Sequence, residues 1–215
     1  MSGIIDLLNS DLGKSVVSGL AGQTGQDTSK TSSLLTMALP LLTQAMTRNA
    51  QASPEGADGL LNALSSGKHD GSILDNLDGF FNGGVDDSEI SDGGNILNHV
   101  LGEKQHNVEL ALSQKSGIDA SSVSQILKMA TPLLMGYLGK QQRENNVSSS
   151  SDLGSMLGGL VQGNSASGEQ SFLESMLDAD GDGSIVDDVA GMFLDGNKSD
   201  SNGGGIAGML GNLMK

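Results

Sequence analysis

Cysteine is absent from this chain of 215 residues, which excludes disulfides, thiolate catalysis and cysteine-ligated zinc or iron–sulfur sites. Aromatic residues make up only 2% of the chain and tryptophan is missing. A hydrophobic core therefore has to be assembled from leucine, isoleucine, valine, methionine and alanine. Proline occurs only three times, which leaves long stretches free to be helical. This composition favours closely packed helices.

Basic residues are also scarce: 11 lysines and arginines stand against 26 aspartates and glutamates, for a net charge of −15. A surface this acidic repels nucleic-acid phosphates and anionic lipid. We therefore expect no nucleic-acid partner, and we expect the chain to attract cations. The three histidines, His69, His99 and His106, are not spaced as a zinc pair, and we expect them to be at the surface or partly packed.

Long apolar runs are missing, and no segment approaches the 18 apolar residues that a membrane-spanning helix requires. The segment Met1 to Lys14 has neither the basic start nor the apolar core of a signal peptide. We expect a cytoplasmic protein, unless it is exported by a route that needs no signal peptide.

An internal repeat is present in the chain. Residues 25–42 and 117–134 are identical at 10 of 18 positions, at an offset of 92 residues. Farther along, residues 68–81 and 180–193 are identical at 7 of 14 positions, at an offset of 112. A repeat of this length is typical of stacked helical modules. We place copy one at residues 1–92 and copy two at 93–215, with the boundary in the acidic, glycine-rich stretch 89–94.

Apolar residues at helical spacing predict one central helix in each copy. Leu34, Ala38 and Leu41 mark the first, and Ile126 and Ala130 belong to the second. Serine or threonine is expected at each N-cap. Pro40 and Pro132 lie inside these patterns, so each should kink its helix or split it in two. Further helices are predicted near 4–20, 57–65, 73–81, 95–112, 152–161, 169–177, 186–194 and 205–214. The predicted fold is all-α, with two tandem copies of a multihelical module whose central helices are kinked at proline.

The stretch from Asp178 to Asp188 has the pattern of a loop wrapped around a hard cation, Asp-Ala-Asp-Gly-Asp-Gly-Ser-Ile-Val-Asp-Asp. Ca²⁺ takes six to eight oxygen ligands, and the loop that gathers them turns sharply at a glycine at position 6. Here that glycine is Gly183. The predicted Ca²⁺ ligands are Asp178, Asp180, Asp182, the backbone carbonyl of Ser184, and a late carboxylate from Asp187 or Asp188.

The loop resembles that of EF-hands but departs from it at position 12, where Val189 replaces the bidentate glutamate. The alternative interpretation is an acidic turn in which Asp187 or Asp188 caps a helix. Copy one has Ser66, Lys68 and Asp70 at positions 1, 3 and 5, so we expect no Ca²⁺ there. Because Asp187 corresponds to Asp75 of copy one, we expect Asp187 to be partly a cap and Asp188 to close the site.

Three motifs together resemble the bacterial YidB-like proteins: the duplicated Met-Ala-x-Pro-Leu-Leu helix, the segment Gly-Gly-Asn-Ile-Leu-Asn-His-Val-Leu-Gly at 93–102, and the aspartate-rich loop. That family is defined by a domain of unknown function. The resemblance implies an all-helical fold and a bacterial source, and it implies no activity.

Two hypotheses for the function follow. The first is a non-enzymatic helical protein that binds one structural Ca²⁺. The second is a self-assembling or scaffold protein, with or without gating by the metal. Its two similar modules and its apolar C-terminal segment, residues 206–214, would associate with further copies or with an unknown protein partner. An enzyme is disfavoured, because no serine lies in a nucleophile-elbow pattern and no second polar cluster supports the loop.

Overall fold

The computed structural model describes the backbone of residues 3–162 and the side chains of residues 3–160, which belong to one compact unit. Regular structure in this part of the chain is entirely helical, as predicted. Its α-helices are α1 (Ile4–Asn9), α2 (Asp11–Thr24), α3 (Thr28–Ala52), α4 (Pro54–Ser65), α5 (Ser72–Asp75), α6 (Leu77–Phe81), α7 (Asp87–Leu101), α8 (Gln105–Ser116), α9 (Ala120–Glu144) and α10 (Ser150–Gln162). Short 3₁₀ turns lie at Gly67–His69 and Gly102–Lys104.

The central helices of the two copies are α3 and α9, each 25 residues long. Their N-caps are Asp27 and Asp119, so the expectation of serine or threonine caps is wrong. Asp27 accepts the backbone N–H groups of Ser29 and Lys30, and Asp119 accepts that of Ser122, which satisfies donors that have no partner within the helix. Serine is found inside the first turn instead. There the hydroxyls of Ser29 and Ser121 donate to these same carboxylates.

Neither proline splits its helix, so that alternative is wrong: α3 and α9 each run without interruption through Pro40 and Pro132. A proline inside a helix has no N–H for the carbonyl four residues earlier. For Pro132 that carbonyl belongs to Lys128, and helix α7 approaches it closely at Gly93. A Cβ atom added to Gly93 would lie 1.8 Å from the Lys128 carbonyl oxygen.

Three helices predicted as single elements are each divided in two. The predicted helix 4–20 breaks at Ser10, whose side chain accepts the N–H of Gly13 and so caps α2. The predicted helix 95–112 breaks at Gly102, which has a φ of +55°. Positions 10 and 102 are 92 residues apart, so both copies turn at the same place. The third break, within 73–81, is at Asn76, which caps α6.

The described parts of the two copies share one core. Helix α9 of copy two packs against α2, α4, α5 and the first 3₁₀ turn, all from copy one, and α10 packs against α3 and α4. Buried hydrophobic side chains of this part are aliphatic or methionine, with Tyr137 as their one aromatic member. Stretch 89–94, where the boundary between the copies was placed, lies inside α7.

The predicted helices 169–177, 186–194 and 205–214 lie outside the described residues. Among the described helices, none combines the length and the apolar character needed to cross a bilayer.

Candidate metal-binding loop

The predicted Ca²⁺ loop lies outside the described residues, but its counterpart in copy one, residues 66–76, is described in full. This counterpart shows what the backbone of the repeat does at this place and which side chains surround it. All of the predicted Ca²⁺ ligands lie outside the described residues: Asp178, Asp180, Asp182, Ser184, Asp187 and Asp188.

The copy-one loop turns sharply at Gly71. Its φ and ψ are +86° and −7°, in the left-handed region that only glycine enters at low cost. Gly71 is the counterpart of Gly183, the glycine at position 6 of the predicted Ca²⁺ loop. Helix α5 begins at the next residue, Ser72. A turn followed directly by a helix is therefore the local structure of this repeat element in copy one, as the sequence predicted.

Asp70, at position 5, is tied to its own loop. Its Oδ1 accepts the backbone N–H of Ser72 at 2.9 Å. Hydrogen bonds from the Ser72 side chain and from the Ser72 backbone lower the pKa of Asp70. This carboxylate is therefore held in the ionised form by the turn itself. Its counterpart in copy two is Asp182.

Lys68, at position 3, points its ammonium to α7. Its Nζ lies 3.3 Å from Oδ1 of Asp92, and its side chain is 64% exposed. The ammonium therefore forms an ion pair with a residue outside the loop and does not lie at the centre of the loop. Asp92 was not anticipated, because a contact across 24 residues leaves no local sequence signal.

His69 is buried, so the expectation of a surface or partly packed residue is wrong for it, whereas His99 and His106 are exposed. The Nδ1 atom of His69 lies 3.1 Å from the carbonyl oxygen of Ala63. Its Nε2 lies 3.3 Å from Oδ2 of Asp92, within ion-pair distance but without the geometry of a hydrogen bond. Asp92 therefore contacts two successive side chains of the loop.

The end of the loop contradicts the capping assignment made from the sequence. Asn76, not Asp75, is an N-cap: its Oδ1 accepts the N–H of Gly79 at 3.2 Å and starts α6. Asp75 is the last residue of α5. The expectation that the position of Asp75 and Asp187 supplies the cap is therefore wrong in copy one, where the position of Asn76 and Asp188 supplies it.

The loop is held against α9 at two glycines. A Cβ atom at Gly139 would lie 2.0 Å from the carbonyl oxygen of His69, and one at Gly136 would lie 2.7 Å from a methyl carbon of Ile73. Side chains at either position would push the loop away from the helix. Close backbone approach of this kind fixes the loop's position, and the glycine spacing on α9 is the one sequence signal that could have indicated it.

No three histidine, aspartate or glutamate side chains of the described residues are grouped so as to hold a metal ion. The prediction that copy one binds no Ca²⁺ remains a prediction, because only a titration can test it.

Comparison with known proteins identifies a family but no activity. A family model described as a bacterial protein of unknown function, DUF937, matches the chain twice, at residues 6–141 and 144–214. The two matches divide at the C-terminal end of α9, whereas the internal repeat divides within α7. No curated protein and no solved structure matches the chain.

Proposed function

The chain belongs to the DUF937 family of bacterial proteins of unknown function, and we propose that it is a non-enzymatic helical protein that binds one structural Ca²⁺ through residues 178–188. The main support for this proposal is the spacing of Asp178, Asp180 and Asp182 immediately before a glycine. Carboxylates at alternate loop positions followed by a turn are what a cation with six to eight oxygen ligands requires. The resemblance to YidB-like proteins is more specific than this family assignment, and it remains a proposal.

The described copy-one loop supports the proposal through its backbone. Gly71 takes the left-handed conformation at the position equivalent to Gly183, so this repeat element is able to make the turn that a Ca²⁺ loop needs. Asp70 keeps one carboxylate oxygen on the turn. The same arrangement in copy two would leave the second oxygen of Asp182 for the ion.

The copy-one structure also changes which late carboxylate we propose as the closing ligand. Since Asn76 caps α6, we propose that Asp188 caps the corresponding helix of copy two. Asp187 is then the carboxylate that closes the site. Binding would order the loop together with its flanking segments, because metal sites rarely exist preformed in the unfolded chain.

Position-matched variants test the site. In calorimetric titration of chelator-treated full-length protein, Asp182→Asn should abolish tight Ca²⁺ binding. Asp70→Asn removes the carboxylate at the same position of copy one and should leave the titration unchanged. Asp187→Asn should weaken binding more than Asp188→Asn. Retained affinity in Asp182→Asn, or an equal loss in Asp70→Asn, would contradict the proposal.

Self-assembly is the second candidate, and the apolar segment 206–214, with the sequence Ile-Ala-Gly-Met-Leu-Gly-Asn-Leu-Met, favours it. Light scattering of the chain with and without residues 203–215 tests this idea at several protein concentrations. Association that depends on this segment supports the candidate. A strict monomer in both forms removes it.

A further inference from the structure

An apolar cleft lies between α4 and α7. Both helices pack on α3 and α9, which provide the floor of the cleft. Its volume is about 380 Å³. Apolar residues that line it are Met46, Leu60, Ala63, Ile96, Val100 and Met135.

Two glycines of α4 shape the cleft. At Gly56 a Cβ atom would lie 2.4 Å from the carbonyl oxygen of Asn49, so α4 approaches the floor closely there. At Gly59, one turn later, nothing lies within 4 Å of an added Cβ atom. The wall at Gly59 therefore has room for a side chain that α4 does not supply. From Gly56 to Ala63 the wall runs for about 10 Å, or two helical turns.

Polar contacts fix both ends of the cleft. At one end, Asn49 Nδ2 donates to the carbonyl oxygen of Val100 at 3.1 Å, which ties α3 to the C-terminal end of α7. At the other end, Lys68 and His69 contact Asp92 and tie the segment after α4 to the N-terminal half of α7. The walls are thus held in place without a side chain that fills the space between them.

No carboxylate lines the cleft itself, but the exposed carboxylates Glu55 and Asp58 lie on its rim, beside the lining glycines of α4. Helices α4 and α7 contain no lysine or arginine, and their carboxylates are Glu55, Asp58, Asp87, Glu89 and Asp92. The whole chain has a net charge of −15. A second copy of the chain would carry the same negative charge to this surface, whereas a basic partner would be attracted to it.

We propose that this cleft binds a short, basic amphipathic helix of another protein. Apolar side chains of such a helix, spaced three or four residues apart, would fill the space beside Gly59 and contact the half-buried Leu60 and Ile96. Met46 and Met135, each 1% exposed, form the floor beneath these residues, where flexible methionine side chains can adjust to a bound helix. Lysine or arginine side chains flanking the apolar face would lie near Glu55 and Asp58.

A synthetic peptide tests this proposal with the full-length protein in the presence of chelator, so that the outcome is independent of Ca²⁺. The probe is a labelled amphipathic peptide of about 14 residues with a leucine face and a lysine face. Its controls are the same peptide with glutamate for lysine and a scrambled peptide of unchanged composition. Fluorescence anisotropy gives the affinity, and NMR of ¹³C-methyl methionines locates the site. We expect saturable binding of the lysine peptide, shifts at Met46 and Met135, and affinity at least about tenfold weaker for either control.

A protein variant separates the cleft from the general charge of the surface. Gly59→Met should fill the cleft and weaken binding of the lysine peptide at least about tenfold. Gly22→Met is the matched control, because Gly22 is an exposed helical glycine of α2 that also has nothing within 4 Å of an added Cβ atom. Circular dichroism verifies that both variants fold. Equal affinity of Gly59→Met and wild type, equal loss in both variants, or equal binding of the scrambled peptide would overturn the proposal.

Discussion

Replacing Gly93 by alanine tests whether α7 and α9 are held together by a backbone contact. The added Cβ atom would lie 1.8 Å from the Lys128 carbonyl oxygen, 2.8 Å from its carbonyl carbon and 3.0 Å from Cδ of Pro132. A carbon and a carbonyl oxygen in close contact are usually at least about 3.3 Å apart. The two helices must therefore separate locally by about 1.5 Å. Neither side has a flexible side chain that could move instead.

The cost follows from this displacement. A gap of about 1 Å forfeits up to about half of the dispersion energy of the contacts across it, and overpacking typically costs about 1–3 kcal/mol. Leu97 and Leu101, buried on the same side of α7, would lose part of their packing. Alanine regains about 1 kcal/mol of helix propensity. We expect a net loss of about 1–2 kcal/mol in the free energy of unfolding, or a Tm lowered by about 2–8 °C in a chain of this size.

The neighbouring glycine is the control for this experiment. A Cβ atom at Gly94 would lie 3.7 Å from the nearest atom, the Cε of Lys128, which is ordinary van der Waals contact. Gly94→Ala should therefore leave the Tm unchanged or raise it, because only the helix propensity changes. Thermal unfolding by circular dichroism compares the two variants. Equal Tm values for Gly93→Ala and Gly94→Ala would refute the proposed backbone contact.

Two further predictions concern α9, the central helix of copy two: its packing against the copy-one loop and its N-cap. Gly139→Ala should lower the free energy of unfolding by about 2 kcal/mol in chemical denaturation, because its Cβ would meet the backbone oxygen of His69 at 2.0 Å. Gly136→Ala, which meets only a side-chain methyl of Ile73, should cost less, and the reverse order would be inconsistent with this packing. Hydrogen bonds from the Ser121 hydroxyl and the Ser122 N–H lower the pKa of Asp119 from 3.8 to about 2. Because the pKa is lower in the folded state, the ionised carboxylate stabilises the protein above the unfolded-state pKa. This contribution is lost as the pH falls from 3.8 towards 2. The Tm advantage of wild type over Asp119→Asn should therefore shrink between about pH 5 and about pH 2, and a constant difference would contradict the assignment.

Much of the described fold was predictable from the spacing of apolar residues. Both central helices and the helical class of the fold follow from a pattern that local sequence carries. The break at Ser10 was missed although it has a local signal, the serine that caps α2. A Cβ atom at Gly13 would lie 2.2 Å from the carbonyl oxygen of Leu7, so α1 and α2 meet backbone to backbone. The N-caps were misassigned because aspartate, serine and threonine all suit the position.

The surroundings of the loop were less predictable than its backbone turn. A glycine after an aspartate indicated the turn at Gly71, and the turn is present. The contacts of Lys68 and His69 with Asp92 join segments that are more than 20 residues apart in the sequence, and a single sequence carries no signal for such a pair. The cap is at Asn76, one residue after the expected Asp75, because the Asn76 side chain accepts the N–H of Gly79 and starts α6.

Calcium titration of the full-length protein tests the central claim most directly. The protein is first treated with chelator and then titrated with Ca²⁺ in a calorimeter, in the presence of Mg²⁺ at millimolar concentration. We expect one site per chain that persists under Mg²⁺ competition and is lost in Asp180→Ala, together with a Tm that rises when Ca²⁺ is added. No heat of binding and no change in Tm would show that residues 178–188 form an acidic turn instead, and would contradict the proposed function.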